Sequence, residues 1–206
     1  IADELKLLGT LGSVLPALEV LYLREAAGPD GVRQLAAGLG AGALPAVTKL
    51  RFFCTHVGDA GASALAAALG QGALPRLKTL ILSNAAISGT GLVALAPALR
   101  RRPALEWLDL FANAFGDEGL TALVAPPPPA GAPPPTTGGL AKLKMLNLGS
   151  TPVTDAGCAT LAGALNSGAL PALERLNLLW IPASAAAKAA VYAARANLKG
   201  REGEVE

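Results

Sequence analysis

Apolar residues recur along this chain in one short pattern, leucine-x-x-leucine-x-leucine, repeated six times. The copies read LEVLYL from Leu18, VTKLRF from Val47, LKTLIL from Leu77, LEWLDL from Leu105, LKMLNL from Leu143 and LERLNL from Leu173, with starts spaced 29, 30, 28, 38 and 30 residues apart. Within each copy the apolar fourth and sixth positions alternate with variable ones, the period of two of a strand with one buried face. Leu21 and Leu23 are such a buried pair. A Leu-Pro step precedes four of the copies, at Leu15-Pro16, Leu44-Pro45, Leu74-Pro75 and Leu170-Pro171. After each strand a polar or acidic residue and a glycine open a segment of helical spacing, as in Asp59-Ala60-Gly61 leading to Leu65 and Leu69, or Asp155-Ala156-Gly157 leading to Leu161 and Leu165.

A strand, loop, helix and turn in about 30 residues cannot bury its own apolar side, so neighbouring units must stack, strands pairing in parallel and helices covering the other face. The expectation is an α/β fold: a right-handed βα solenoid with a concave parallel sheet and convex helices. It occupies residues 1–199 in six strand units and is followed by a polar tail, 200–206. The run APPPPAGAPPPTTGG, 125–139, replaces the second half of the fourth helix and accounts for the one long spacing. It predicts a mobile excursion rich in polyproline II, either a tolerated insertion at the solenoid edge or a ligand for a domain that grips proline-rich segments. Leu5 to Leu15 reads as a helix of an earlier unit whose strand is absent, and Ala183 to Leu198 as an alanine-rich helical cap.

The order L-x-x-L-x-L, a small or polar gap, then D-x-G and L-x-x-x-L resembles the ribonuclease-inhibitor class of leucine-rich repeats, the horseshoe-shaped solenoids. The likeness covers nearly the whole chain. It is shared by ribonuclease inhibitors, innate-immune nucleotide-binding receptors, Ran GTPase activators and tropomodulin-like actin-capping proteins, so it implies a fold and leaves the function open. One feature departs from it: the class places asparagine or cysteine five residues after the fourth-position leucine, and only Asn113 obeys. Ala26, Thr55, Ala85, Thr151 and Ile181 hold the other places, which predicts looser turns there.

Composition changes this picture little. The 206 residues are 52% hydrophobic with a formal charge of +2, so nothing points to nucleic acid or an anionic membrane as a partner, and no stretch is apolar for long enough to cross a membrane. The N-terminus shows no signal peptide and reads as a fragment or trimmed end. Cys54 and Cys158 fall three units apart, about 15 Å at the spacing of strands and beyond disulfide reach, which fits reduced thiols in a cytoplasmic protein.

Candidate chemistry is sparse. The single histidine, His56, has no partner at ligand or triad spacing, so neither a metal site nor Ser-His-Asp or Cys-His catalysis is expected, and no cofactor. Gly38-Leu39-Gly40-Ala41-Gly42 follows a helix rather than a strand, as do Leu69-Gly70-Gln71-Gly72 and Asn166-Ser167-Gly168. That makes it helix-ending turn chemistry and not a phosphate loop. Asp30, Asp59, Asp117 and Asp155 sit at helix starts, where an anion favours the helix dipole.

The third, fifth and seventh positions of each copy face away from the core. They form three rows: Val20, Lys49, Thr79, Trp107, Met145, Arg175; then Tyr22, Arg51, Ile81, Asp109, Asn147, Asn177; then Arg24, Phe53, Ser83, Phe111, Gly149, Leu179. Four of the chain's eight aromatics lie among these eighteen positions, where chance predicts fewer than one. Aromatic residues with arginine are the composition of binding hot spots. Tyr22, Arg24, Arg51 and Phe53 form one candidate patch and Trp107, Asp109 and Phe111 a second, with Lys49 and Arg175 as further candidates on the same face. The basic bias of this face points to a protein partner with an acidic or mixed surface. A non-catalytic interaction module is therefore the leading expectation. The alternatives are a Ran-activator-like regulator that assists GTP hydrolysis in trans and a structural part of a cytoskeletal assembly.

Overall fold

The computed structural model describes residues 16–24, 28–39, 44–53, 55–124 and 139–200. The expected first helix at 5–15, Ala26, Cys54, the proline run at 125–138 and the tail 201–206 lie outside them, as do the side chains of Arg24 and Phe53. Strands and helices alternate: β1 Val20–Arg24, α1 Gly28–Gly38, β2 Lys49–Phe53, α2 Gly58–Gly70, β3 Thr79–Ile81, α3 Gly89–Arg100, β4 Trp107–Asp109, α4 Asp117–Val124, β5 Met145–Asn147, α5 Asp155–Asn166, β6 Arg175–Asn177, α6 Ala185–Ala193 and β7 Lys199–Gly200. The strands form one open, parallel, seven-stranded sheet in sequential order, and each helix packs on the next. This is the βα solenoid the leucine spacing predicts. A seventh strand joins the six expected: Lys199 pairs with Arg175 after the alanine-rich segment has turned back to the sheet.

The core is a continuous file of stacked leucines. Leu50, Leu80, Leu108, Leu146 and Leu176 are in register on successive strands and fully buried, while Leu21, on the first strand of the described sheet, is 7% exposed. Leu65, Leu95, Leu120 and Leu161 close the core from the helix side. Each such side chain contributes about 2 kcal/mol through burial. That burial also holds an unusual turn, in which Leu44, Leu74, Leu140 and Leu170 are buried with φ between 50° and 54°. The left-handed conformation costs a non-glycine residue about 1–2 kcal/mol, less than burying the leucine returns. Arg102 stands at this place before β4; its guanidinium Nε is buried without a hydrogen bond, and burial lowers its pKa. The glycine turns after helices behave as expected where described: Gly72 and Gly168 have φ of 94° and 87° and donate back to Leu69 and Leu165.

Polar side chains tie one unit to the next in two places. Asn113 is buried beneath the turn after β4. Its Oδ1 accepts from the backbone N–H of Ala85 (3.2 Å) and Ile87 (3.0 Å) in the preceding unit. Its Nδ2 donates to the carbonyls of Leu82 (2.8 Å) and Leu110 (2.9 Å). The threonines at equivalent places reproduce part of this pattern. Thr151 Oγ1 donates to the Leu148 carbonyl at 2.6 Å and Thr55 Oγ1 to that of Leu23 at 3.4 Å, so those turns keep a buried side-chain donor in place of asparagine.

The second tie lies among the helix starts. Asp59, Asp117 and Asp155 do open helices, but their carboxylates also reach across to the following unit. Asp59 accepts from Ser88 N (2.8 Å) and Oγ (2.5 Å), Asp117 from Thr154 N (2.8 Å) and Oγ1 (2.6 Å), Asp155 from Ser184 N (2.6 Å) and Oγ (2.9 Å). Asp30 is one residue out of phase and pairs instead with Arg33 on its own helix. Pro29 holds the bridging place in that unit and Gly89 in the unit of α3. The residues they face, Gly58 and Gly116, are glycines with φ of 61° and 38°.

The bonds from Ser184 hold the Asp155 carboxyl below the usual carboxylate range. A carboxyl depressed in the folded state adds stability above its unfolded pKa of about 3.9 and loses it as pH falls through the folded value. Melting temperature should therefore drop below about pH 4, and Asp155→Asn should show a shallower drop than the parent chain over that range. Superimposable profiles from a scanning fluorimeter would refute the role.

Candidate functional site

The strand register places the third- and fifth-position residues in the rows that the repeat alignment predicts, although Met145 in the first row is buried rather than outward. Val20, Lys49, Thr79, Trp107, Met145 and Arg175 are consecutive neighbours across the sheet, and Lys199 on β7 extends the line. Tyr22, Arg51, Ile81, Asp109, Asn147 and Asn177 form the second line. No element among the described residues covers this side. Tyr22 is 56% exposed, Val20 39% and Trp107 37%. Arg175 is exposed, while Lys49, Arg51, Asp109 and Phe111 are half-buried. Arg24 and Phe53 end paired strands, but as site residues both lie outside what the structure describes.

Alternation alone predicts that the second row points freely outward, and in its later half it does not. Asn147 and Asn177 are buried. Asp109, Asn147 and Asn177 each fold back on the backbone two residues ahead, accepting from Phe111 N (2.9 Å), Gly149 N (3.1 Å) and Leu179 N (2.9 Å). Asn177 Nδ2 donates to Asn147 Oδ1 at 2.9 Å. Short polar side chains readily close such turns, so these three shape the end of each strand. Gly149 permits the closure, because a Cβ there would meet Asn177 Nδ2 at 3.0 Å and Phe111 Cδ2 at 3.1 Å.

Phe111 therefore belongs to a different group from Trp107. Its ring lies edge-on to Trp180, centroids 5.9 Å apart and planes at 73°, over the gap left by Gly149. Trp180 is 70% exposed and lies outside the three rows, so the alternation argument misses it. Its signal is present in the repeat itself: Asn84, Ala112 and Ser150 hold the equivalent place, all with φ of 52° to 55°, and tryptophan at φ 58° stands out among small residues.

Beside Trp107 runs a groove of about 340 Å³ whose floor is Thr79, Trp107 and Met145 and which ends at Arg175. Its rim alternates in charge, Lys78, Glu106, Lys144, Glu174. Lys144 Nζ lies 3.0 Å from Glu106 Oε2, which draws the Glu106 carboxyl below and the Lys144 ammonium above their usual values. Both groups face solvent, so the pair orders the rim and adds little stability. His56 is exposed and lies away from this face, beyond β2. No three His, Cys, Asp or Glu among the described residues are placed to hold a metal. Cys158 is a free thiol buried within α5, its pKa raised by burial. The groove offers an apolar floor between charges, an arrangement suited to binding side chains.

One family model agrees with the repeat reading. A family model described as a leucine-rich repeat matches residues 44–66, 74–96 and 105–124. No curated protein matches the sequence. Among solved structures, an internalin from Listeria monocytogenes is similar at 13% identity and a TM-score of 0.47, over 93% of this chain and 49% of that one. The chain thus spans about half the length of that internalin. No helix among the described residues is long and apolar enough to cross a membrane. The strand, loop and helix that recur from Leu18 onward build a βα solenoid, and three of its units, within residues 44–66, 74–96 and 105–124, match the leucine-rich-repeat model.

Proposed function

We propose that the chain is a non-catalytic protein-binding module of the ribonuclease-inhibitor type, working in the cytoplasm and holding its partner on the open face of the sheet. Leucine-rich-repeat domains generally mediate interaction between proteins. The observation that carries the choice of face is the exposure of Val20, Tyr22 and Trp107, with Lys49 and Arg175 in the row of Val20 and Trp107, on a side that no element among the described residues covers. Nothing in the fold asks for aromatic residues there, and large aromatics beside cations are what interfaces concentrate. A helix in every unit and the spacing of about 30 residues support the subclass. The buried free thiol of Cys158 suits a reducing compartment.

Tyr22→Ala combined with Trp107→Ala should leave the melting temperature within about 2 °C, since both side chains are exposed. Recovery of any partner captured by the parent chain should fall by tenfold or more, a loss of about 1.4 kcal/mol or greater. Quantitative mass spectrometry of paired captures reads this directly, and undiminished recovery on the double variant would move the site off this face.

A further inference from the structure

We propose that the Trp107 groove takes an extended acidic segment of a partner protein in the polyproline II conformation, with carboxylates at its first and seventh residues and an apolar side chain at the fourth. This rests on the binding reading above and specifies its ligand.

The argument is one of spacing and charge. Lys49 on β2, Trp107 on β4 and Arg175 on β6 lie in one register line, two strands apart in each case. Strands are about 4.8 Å apart, so the backbone positions of Lys49 and Arg175 each stand roughly 10 Å from that of Trp107. A polyproline II chain rises about 3.1 Å per residue with three residues per turn. Every third side chain therefore points the same way, about 9.3 Å beyond the last. A segment crossing the strands would set its first and seventh residues over Lys49 and Arg175 and its fourth on Trp107 and Met145. A β-strand does not fit, because its third-neighbour side chains point to opposite sides.

The charged residues of this row are all cations, Lys49, Arg175 and Lys199, and none of them has a carboxylate partner among the described residues. The rim glutamates do not reverse the sign. Glu106 is bound by Lys144, and Glu174 lies on the other side of the same ammonium, which it also favours. Asp109 in the second row accepts from the Phe111 N–H. The groove itself, about 340 Å³, holds one or two side chains rather than a folded surface.

The probe is the labelled peptide acetyl-Glu-Pro-Ser-Leu-Pro-Ser-Glu-amide, titrated with the full chain and read by fluorescence anisotropy. Two control peptides carry lysine at both ends or have the spacer shortened by one residue on each side of the leucine. The glutamate peptide should bind at least about tenfold more tightly than either control and weaken markedly between about 50 and 300 mM salt. Arg175→Glu and Lys49→Glu should each weaken it by about fivefold or more, with far-ultraviolet dichroism unchanged. Equal affinity for the lysine peptide, no measurable binding of the glutamate peptide, or indifference to Arg175→Glu overturns the proposal. The broader reading is tested separately: a partner lost on the Tyr22/Trp107 double variant while the glutamate peptide does not bind keeps the face and removes only its acidic ligand, whereas undiminished recovery on that variant removes the face itself.

Discussion

Alanine in place of Asn113 is expected to lower the unfolding free energy by about 3–5 kcal/mol, measured by urea denaturation. The side chain is buried and serves four backbone groups in two units at once, the N–H groups of Ala85 and Ile87 and the carbonyls of Leu82 and Leu110, with a fifth, longer bond at 3.3 Å to the Phe111 carbonyl, which also accepts from Asn84 N. Truncation strands all four, and each unsatisfied buried group costs about 1–3 kcal/mol, less whatever an entering water recovers. Asn113→Thr should be milder, about 1–3 kcal/mol, because Thr151 shows that a hydroxyl at this place still donates to the carbonyl three residues back. Hydrogen exchange should localise the damage at Ala85 and Ile87. A loss below about 1 kcal/mol would mean that these groups find other partners.

Two glycines of one helix should respond in opposite directions. Gly163 in α5 has nothing near the position of a Cβ, so Gly163→Ala should stabilise by about 0.5–1 kcal/mol through helix propensity. At Gly157, in the same helix, a Cβ would overlap Asp117 Oδ1 and lie 2.8 Å from Val153 Cγ1. Gly157→Ala should therefore destabilise by about 2–3 kcal/mol, the cost of overpacking and of displacing a carboxylate that accepts from Thr154 N and Oγ1. The mechanism makes a sharper demand on a double-mutant cycle. In an Asp117→Ala background the obstructing oxygen is gone, so Gly157→Ala should cost at least about 1 kcal/mol less. Strict additivity would show that the carboxylate is not what the new methyl group strikes.

These two sites also show how far the sequence can be read. The leucine spacing yields the strands, their order and their register, because a period of two is a property of single positions and recurs unchanged in every unit. Trp107 and Tyr22 follow from the same arithmetic and are exposed. What a chain of letters hides is interaction between units. Asp117 and Thr154 are 37 residues apart, and nothing local marks the aspartate as a bridge as well as a helix start. Asn147 and Asn177 occupy outward positions yet turn in, because a short amide finds a backbone N–H two residues ahead and Gly149 leaves room. Trp180 escapes for the opposite reason: it lies one step past the alternating residues, in a loop where periodicity carries no information.

The carboxylate bridges bear on how such a chain can lengthen or shorten. Each junction on the helix side is of one of two kinds. In one, an aspartate meets a serine or threonine, as at Asp59–Ser88, Asp117–Thr154 and Asp155–Ser184. In the other, Pro29 or Gly89 meets a glycine in the left-handed conformation, Gly58 or Gly116. A unit is therefore polarised, with a plug at one side and a socket at the other, and units are not freely interchangeable. Excising residues 146–175 brings Asp117 opposite Ser184 and preserves a matched joint, whereas excising 80–107 sets Asp59 against Gly116, which has no hydroxyl to offer. Duplication and loss of repeats in this solenoid are constrained to steps that keep plug with socket, a syntax written in one residue pair per unit.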